Sequence, residues 1–245
     1  MSARATFATA QRVLRQIRHD PRTIVLLLVV PAALLTLLRF VLDARPAVFQ
    51  HVGAPLCGLF PFIAMFLVTS IAMLRERTTG TLERLLTLPL AKGDLLAGYA
   101  LAFGGLAALQ ATVVCTTGFA VLGLDAPHGI WIVAALAIAN AVLGMALGLF
   151  VSAFARTEFQ AVQFMPAVVL PQLLLCGLFA PRDQMAAALD SLSALLPLTY
   201  AYDALARVTA RAELTDRLAL DVLVVVAAIV IALALGAATL RRRTA

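Results

Sequence analysis

Residues Ile130–Phe154 read IWIVAALAIANAVLGMALGLFVSAF, a run of 25 positions without a charged side chain. A helix of about 20 apolar residues crosses the hydrocarbon core of a bilayer, and it satisfies its own backbone hydrogen bonds there. Five further runs have the same character: Thr23–Leu42, Leu56–Leu74, Ala97–Leu124, Phe159–Ala180 and Ala219–Leu240. The sequence therefore predicts an all-α integral membrane protein with six transmembrane helices, which form a single domain over residues 1–245.

The composition and the placement of charge agree with this prediction. Charged residues make up 13% of the chain, whereas a soluble domain carries roughly a quarter. If the N-terminus is cytoplasmic, the inner segments hold 13 of the 19 Lys and Arg residues and the outer segments hold 6. Positive side chains near span ends stay in the cytoplasm, so both termini are predicted to be cytoplasmic. The net charge of +6 is then a topology signal, and a nucleic-acid partner is disfavoured.

Several function classes are disfavoured by the residue types that the six runs lack. The three histidines, His19, His51 and His128, fall in loops or at span ends, and no H-E-x-x-H motif is present. The span cores carry no acidic residue that could bind a driving ion, and no G-x-x-x-x-G-K-[ST] phosphate loop occurs. We therefore expect no catalytic residue, no metal site and no cofactor site in this chain, and any driving energy must come from a partner.

Residues 5–18 predict an amphipathic helix before the first span. Its apolar face is formed at a 3-4-3 spacing by Phe7, Ala10, Leu14 and Ile17. Because arginines flank this face, residues 1–22 are expected to form an interfacial segment on the inner membrane surface, in contact with membrane lipids. The pair Asp20-Pro21 predicts an N-cap and a first-turn proline for the first span.

Residues 75–96 form the most charge-dense segment, and it is cytoplasmic in this topology. A short amphipathic helix is predicted over 75–88, with Leu82, Leu85 and Leu86 in one stripe, with Glu83 and Arg84 turned away from it, and with Pro89 at its end. A plain loop needs only polar residues to turn the chain. A helix carrying both signs of charge therefore favours contact with another protein.

The fourth span contains Gly144 and Gly148, a small-x-x-x-small pattern that allows close helix packing. Packing inside the subunit is favoured over a dimer contact.

The fifth span contains two prolines, Pro166 and Pro171, which break the backbone ladder of a helix. The freed carbonyls are tolerated beside a cavity or a neighbouring helix, and Gln163 and Gln172 could satisfy part of them. A substrate path at these four residues and a plain scaffold role both remain open.

The segment 181–218 is external and rich in apolar residues for an aqueous loop. Its run ALLPLTY, residues 194–200, is too short to span the membrane. A re-entrant or interfacial helical hairpin is therefore predicted before the last span. We expect Pro197 and Tyr200, which lie in this hairpin, to close the outer end of the path between the spans as an external gate.

Three segments resemble those of ABC-2 type transporter permeases, a family that includes daunorubicin-type multidrug-resistance permeases and polysaccharide exporters. Residues Arg75–Pro89 resemble the family's charged coupling segment, E-R-x-x-G-T-L-E-x-L followed by a proline. Pro171 and residues Gly177–Pro181 resemble the end of its fifth span. The run 195–200, with Arg207 after it, resembles the segment before its last span. The resemblance assigns ATPase coupling to Arg75, Glu76, Arg77, Gly80, Thr81, Leu82, Glu83, Arg84 and Leu85.

This resemblance implies a homodimer of permeases in the plasma (inner) membrane of a prokaryote, with two copies of a separate ABC ATPase subunit. ATP and Mg²⁺ would be bound by the ATPase, and the permease itself would not be an enzyme. The complex would export a drug-like molecule, a lipid or a glycan by alternating access. The rival hypothesis is a non-pumping channel or an assembly factor without an ATPase partner.

Overall fold

The structure is a computed structural model that describes residues 2–87, 91–209 and 216–239. The described residues contain ten helices, besides one short 3-10 helix at Arg182–Gln184, and no strand. Six of the helices are long and apolar enough to cross a membrane, which confirms the predicted number of spans. They are α2 (Pro21–Val41), α3 (Pro46–Thr78), α5 (Lys92–Val121), α6 (Ile130–Val151), α7 (Glu158–Leu175) and α10 (Asp216–Ala238). The other four are α1 (Ala3–Arg18), α4 (Thr81–Thr87), α8 (Ala187–Ser193) and α9 (Pro197–Thr209).

The first span begins as the sequence predicts. Asp20 is the N-cap of α2, and its Oδ1 accepts a hydrogen bond from the backbone N–H of Thr23 at 3.2 Å. Its Oδ2 accepts another from the Thr23 hydroxyl at 2.7 Å. These bonds favour the carboxylate and hold the pKa of Asp20 below its usual range. Pro21 follows at the first helical position, where its missing N–H has no consequence.

The second span is longer at both ends than the sequence prediction of Leu56–Leu74. Helix α3 begins at Pro46, whose fixed φ suits the first turn of a helix. Its extra turns are held by burial, since Phe49 is 1% exposed. At the other end α3 continues to Thr78, so it includes residues that the sequence assigned to a cytoplasmic segment.

Close packing of α3 against α6 forms the centre of the helix bundle. A Cβ atom added at Gly144 would overlap the backbone of Phe62, and one added at Gly148 would overlap the backbone of Phe66. The Thr69 hydroxyl donates a hydrogen bond across the same interface to the Met145 carbonyl at 3.2 Å. Small residues at a membrane helix interface permit this approach. The predicted packing within the subunit is confirmed.

Helix α1 packs along α5, and the close approach depends on Gly98, where an added Cβ would overlap Thr9. Only part of the predicted apolar face makes this contact. Ala10 is buried, whereas Phe7 and Leu14 are 66% and 46% exposed. The predicted helix is confirmed. Its position on the membrane surface stays a prediction, and the exposed apolar side chains fit it.

Successive spans alternate in direction, so contacts between remote segments gather at two ends of the bundle. At one end, here called the inner end, the backbone N–H of Ser2 donates to Asp94 Oδ2 at 3.0 Å. At the opposite end, Gln50 donates to the Gly123 carbonyl at 2.8 Å and accepts from the N–H of Asp125 at 2.9 Å. The segments predicted to be cytoplasmic, as far as they are described, lie together at the inner end.

The packing of α3 on α6 gives a direct test. We expect Gly144→Ala to lower the stability of the folded chain by about 1–3 kcal/mol, because the added methyl group must push the Phe62 backbone aside. Gly105→Ala is the matched control, since an added Cβ there has no atom within 4 Å. Thermal unfolding in detergent, followed by circular dichroism, compares the two. Equal melting temperatures of the two variants would show that the contact between α3 and α6 can widen for the added methyl group without loss of stability.

Candidate functional site

The inner end holds a polar cluster that joins α1, α3, α5 and α7, consisting of Arg12, Arg75, Glu76, Tyr99 and Glu158. Arg12 Nη1 lies 3.2 Å from Glu76 Oε1, and Arg12 Nη2 donates to the Tyr99 hydroxyl. The guanidinium carbon of Arg12 also lies 5.6 Å from the centre of the Tyr99 ring. Burial lowers the pKa of Arg12, but the hydrogen bond to Glu76 and the nearby Tyr99 outweigh it and leave the pKa raised. One cation on α1 therefore holds α3 and α5 together.

Glu76 is the most deeply buried member of this cluster. Its side chain is 5% exposed, and among the described residues its second oxygen, Oε2, has no hydrogen-bond partner. A buried acceptor without a donor costs about 1–3 kcal/mol, and more when it is charged. Arg75 on the preceding position makes two bonds to Glu158, at 2.7 and 3.2 Å. Both of these partners are more than half exposed, so that pair adds at most about 1 kcal/mol.

The prediction of one helix over 75–88 is wrong. Arg75, Glu76 and Arg77 form the last turn of α3, and a separate helix, α4, starts at Thr81. The break falls at Gly80, whose φ of 73° is readily adopted only by glycine. Among the described residues the Nε and Nη2 atoms of the partly buried Arg77 have no partner.

Helix α4 has the division of faces that the sequence predicts. Leu82 is buried in the hydrophobic core and Leu85 packs partly against it, whereas Glu83 and Arg84 are exposed. The side chain of Leu86 and the residue Pro89 lie outside the described part of the chain. We call the surface formed by Glu83, Arg84 and Thr87 the α4 face. Its role in ATPase coupling stays a prediction.

A cavity of about 640 Å³ opens beside the polar cluster, and we call it the α2–α3 cavity. Its walls are almost wholly apolar and come from α2, α3 and α5, whereas its inner end is polar. The apolar wall includes Leu27, Val30, Pro31, Leu34, Ile63, Ala64, Leu67, Val68 and Phe103. The polar end is formed by Gln16, Asp20, Thr23, Arg75, Glu76 and Tyr99. No motif in the sequence marks this cavity, because its residues come from four separate helices.

The fifth span departs from an α-helix where the prolines predict it. A π-helical segment, Met165–Val169, interrupts α7 between its two α-helical parts. Gln172 is buried, and its Nε2 donates to the Val168 carbonyl at 3.0 Å, which is not one of the carbonyls that the missing N–H groups of Pro166 and Pro171 would leave free. Gln163, Pro166 and Pro171 are exposed on the surface of the single chain. None of these four residues lines the α2–α3 cavity, and their place in a substrate path stays a prediction.

The outer segment contains two helices, α8 and α9, rather than an extended loop. Pro197 is the first residue of α9, and Tyr200 on its first turn donates to the Ala194 carbonyl at 2.8 Å. This bond closes the turn between α8 and α9. The re-entrant position of these helices and the gate role of Pro197 and Tyr200 stay predictions.

Ion pairs fasten the outer helices to the last span. Arg182 lies 2.9 Å from Asp190 on α8 and 3.6 Å from Asp203 on α9. Arg207 on α9 lies 3.1 Å from Asp221 on α10. Burial, together with the nearby charge of Asp221, raises the pKa of Asp203 in spite of Arg182 and Arg207. The sequence has no pattern that marks this network, since its ion-paired residues are 8, 14 and 21 positions apart.

Comparison with known proteins gives one family. The model of the ABC-2 type transporter family matches residues 4–209. The chain is 28% identical over 151 residues to the probable multidrug ABC transporter permease YbhR of Escherichia coli, which covers 60% of this chain and 40% of that protein. It is also 28% identical over 149 residues to ABC transporter G family member 20 of Dictyostelium discoideum, which covers 60% of this chain and 20% of that protein. The chain thus matches less than half the length of these relatives.

The raised pKa of Asp203 predicts how pH affects the outer helices. A carboxyl whose folded pKa lies above its unfolded value adds stability that is present below the unfolded pKa, about 4, and is lost as pH rises through the folded pKa. We expect the Asp203→Asn variant to lose less stability than the parent as pH rises. The Asp190→Asn variant, which changes the more exposed partner of the same arginine, should lose as much stability as the parent. Thermal unfolding between pH 4 and pH 7 measures the difference. If the melting temperatures of both variants change with pH in the same way, the charge of Asp203 does not oppose folding.

Proposed function

The chain belongs to the ABC-2 type transporter family, and we propose that it is the membrane-spanning permease subunit of an ATP-driven exporter of amphiphilic or apolar molecules. The observation that carries this proposal is the family match over residues 4–209 in a chain with six candidate spans. The Escherichia coli relative, a probable multidrug ABC transporter permease, favours a drug-like substrate for this chain as well. Export by alternating access would be powered by two copies of a separate ABC ATPase subunit, which bind the ATP and Mg²⁺.

The ATPase subunit docks on the α4 face in this proposal. Glu83 and Arg84 are exposed there, and the buried Leu82 anchors the helix to the core beneath them. An exposed surface with both signs of charge suits recognition of a protein partner through complementary charges. Movement of the ATPase would then reach the spans through α4.

The polar cluster supplies the route from α4 into the spans. Gly80 connects α4 directly to the last turn of α3, which carries Arg75 and Glu76. Glu76 is bound to Arg12 on α1, and Arg75 is bound to Glu158 on α7. A displacement of α4 therefore acts on the N-terminal helix and on the fifth span at the same time. Both of these elements would move with the coupling segment.

A second permease copy would cover faces that a single chain leaves exposed. Only 17% of the residues of α7 are buried, and Gln163 is exposed on this span. A polar amide facing lipid tails lacks hydrogen-bond partners, so contact with a second copy or with a water-filled path stabilises this face. A homodimer joined near α7 satisfies this requirement. It also places Gln163, Pro166 and Pro171 at the border between the two copies.

The inner end of the bundle is the cytoplasmic end in this proposal, and both termini lie on that side of a prokaryotic plasma membrane. The support is the excess of Lys and Arg in the inner segments. The alternative function, a non-pumping channel or an assembly factor, needs no ATPase partner.

Purification distinguishes the two functions. We expect an affinity-tagged chain, isolated from its native membrane in mild detergent, to carry an ABC ATPase subunit in equal copy number. We also expect amphiphilic compounds to stimulate ATP hydrolysis by the purified complex. A chain that is pure, folded and free of any ATPase would favour the channel or the assembly factor.

Charge reversal on the α4 face tests the docking site. We expect Glu83→Lys to reduce recovery of the ATPase subunit about tenfold, since a loss of roughly 1.4 kcal/mol of binding free energy has this effect. Insertion and folding should be unchanged because Glu83 is exposed. Asp43→Lys is the matched control, because it reverses an exposed charge at the opposite end of the bundle. Full recovery of the ATPase with Glu83→Lys would place docking elsewhere.

A further inference from the structure

The α2–α3 cavity has the length of an extended hydrocarbon chain. Its lining residues on α2 run from Asp20 to Leu34, and those on α3 run from Phe60 to Glu76. At 1.5 Å per residue these stretches measure about 20 Å, whereas one leaflet contributes about half of the 30 Å hydrocarbon core. The volume also falls within the range of sites that bind drug-sized ligands. The cavity can thus hold an alkyl tail along the bundle, with a head group at the inner end.

At the inner end of the cavity, one hydrogen-bond acceptor of a charged side chain has no donor. The guanidinium of Arg75 is bound by Glu158, and that of Arg12 is bound by Glu76 and Tyr99. Glu76 uses only Oε1 for Arg12, and among the described residues Oε2 has no donor. Arg12 Nε also has no partner among the described residues, but Arg12 does not line the cavity. The cation that lines it, Arg75, is paired with Glu158, whereas one oxygen of the 95% buried Glu76 side chain, which also lines it, has no donor.

A ligand head that donates a hydrogen bond completes this arrangement. An ammonium or hydroxyl group can donate to Glu76 Oε2, and an ammonium group also gains from the negative charge of Asp20 at the same end. A carboxylate or phosphate head has no proton to donate and would face the charges of both acids. The cavity thus discriminates by the chemistry of the head, whereas its apolar walls accept any alkyl tail.

We propose that the α2–α3 cavity binds amphiphiles whose head groups donate hydrogen bonds, that Glu76 is the acceptor for the head, and that anionic amphiphiles are rejected. The identification of these ligands as transported substrates rests on the proposed exporter function. Binding itself does not depend on it. The ligand can be a foreign amphiphile or a membrane lipid with an amine head, since both present the same group to Glu76.

Photolabelling of the purified full-length chain tests the proposal without ATP or an ATPase. The chain is placed in phosphatidylcholine nanodiscs, whose lipid head has no N–H donor, and is labelled with a dodecylamine that carries a diazirine in its tail. We expect labelled peptides from α2 and α3, and we expect unlabelled dodecylamine to compete at least tenfold better than dodecanoate. Nanodiscs that contain phosphatidylethanolamine distinguish the two sources of the ligand: weaker labelling there identifies a resident aminolipid, and unchanged labelling identifies a foreign amphiphile.

Two variants make the test specific to the cavity. Glu76→Gln keeps an oxygen for Arg12 but removes the charge, and we expect the preference for dodecylamine over dodecanoate to fall at least fivefold. Ala64→Phe fills the apolar wall and should abolish labelling of α2 and α3. Ala227→Phe on the exposed face of α10 is the control for Ala64→Phe. It should change neither the labelling of α2 and α3 nor the preference for dodecylamine. Because Ala64→Phe leaves the polar cluster intact, the test remains valid if Glu76→Gln fails to fold.

The outcomes separate the site from the exporter function. Labelling that survives Ala64→Phe, or equal competition by dodecylamine and dodecanoate, would overturn the proposed site even if an ATPase co-purifies. Labelling with the expected preferences in a chain that recruits no ATPase would support the site and contradict export.

Discussion

The absence of water from the bilayer core is the constraint on which the rest of the structure depends. Every backbone donor and acceptor at that depth must find its partner within the protein, and helices of about 20 residues meet this requirement. The same constraint explains local features of the fifth span. A π-helical segment that contains Pro166 interrupts α7, and Pro171 follows two residues after it. The amide of the buried Gln172 finds an acceptor within the same helix, because its Nε2 donates to the Val168 carbonyl.

Charge has its largest consequences at the two ends of the bundle. At the inner end the buried Glu76 depends on Arg12, so α1, α3 and α5 are held by one ion pair and the Tyr99 hydroxyl. Breaking one partner of a buried pair is more costly than the pair is worth, because the remaining charge stays buried. Elements joined in this way move together. The position of the cluster, between α4 and the α2–α3 cavity, is therefore suited to relate events at the α4 face to a ligand in the cavity.

The outer end has a different construction. Arg182 and Arg207 connect α8, α9 and α10, and the partly buried Asp203 lies near both of them with a raised pKa. Burial and the charge of Asp221 make the charged form of Asp203 less favourable than that of an exposed carboxylate. The carboxylate of Glu76 at the inner end is more deeply buried, at 5% exposed, and it is paired with Arg12 through one oxygen only. Both ends of the bundle therefore contain a charge that is only partly compensated.

The sequence by itself determined the all-α class, the six spans, the cap at Asp20 and the close packing at Gly144 and Gly148. These features depend on local length, apolar content and side-chain size, which are readable along one segment. The residues 75–89 also carried a resemblance to ABC-2 type permeases that was visible from the sequence, and the family match over residues 4–209 includes them. Their role in ATPase coupling stays a prediction.

Only the tertiary structure decided which side chains meet. It placed Glu76 inside the bundle rather than on a cytoplasmic surface, separated α3 from α4 at Gly80, buried Gln172 while exposing Gln163, and formed the α2–α3 cavity. The physical reason is that lipid tails are as apolar as the protein core. In a water-soluble helix the polar face marks the solvent side, but a membrane helix is apolar all round. Its sequence therefore shows that it spans, but only the packing of the other helices shows which of its faces is buried.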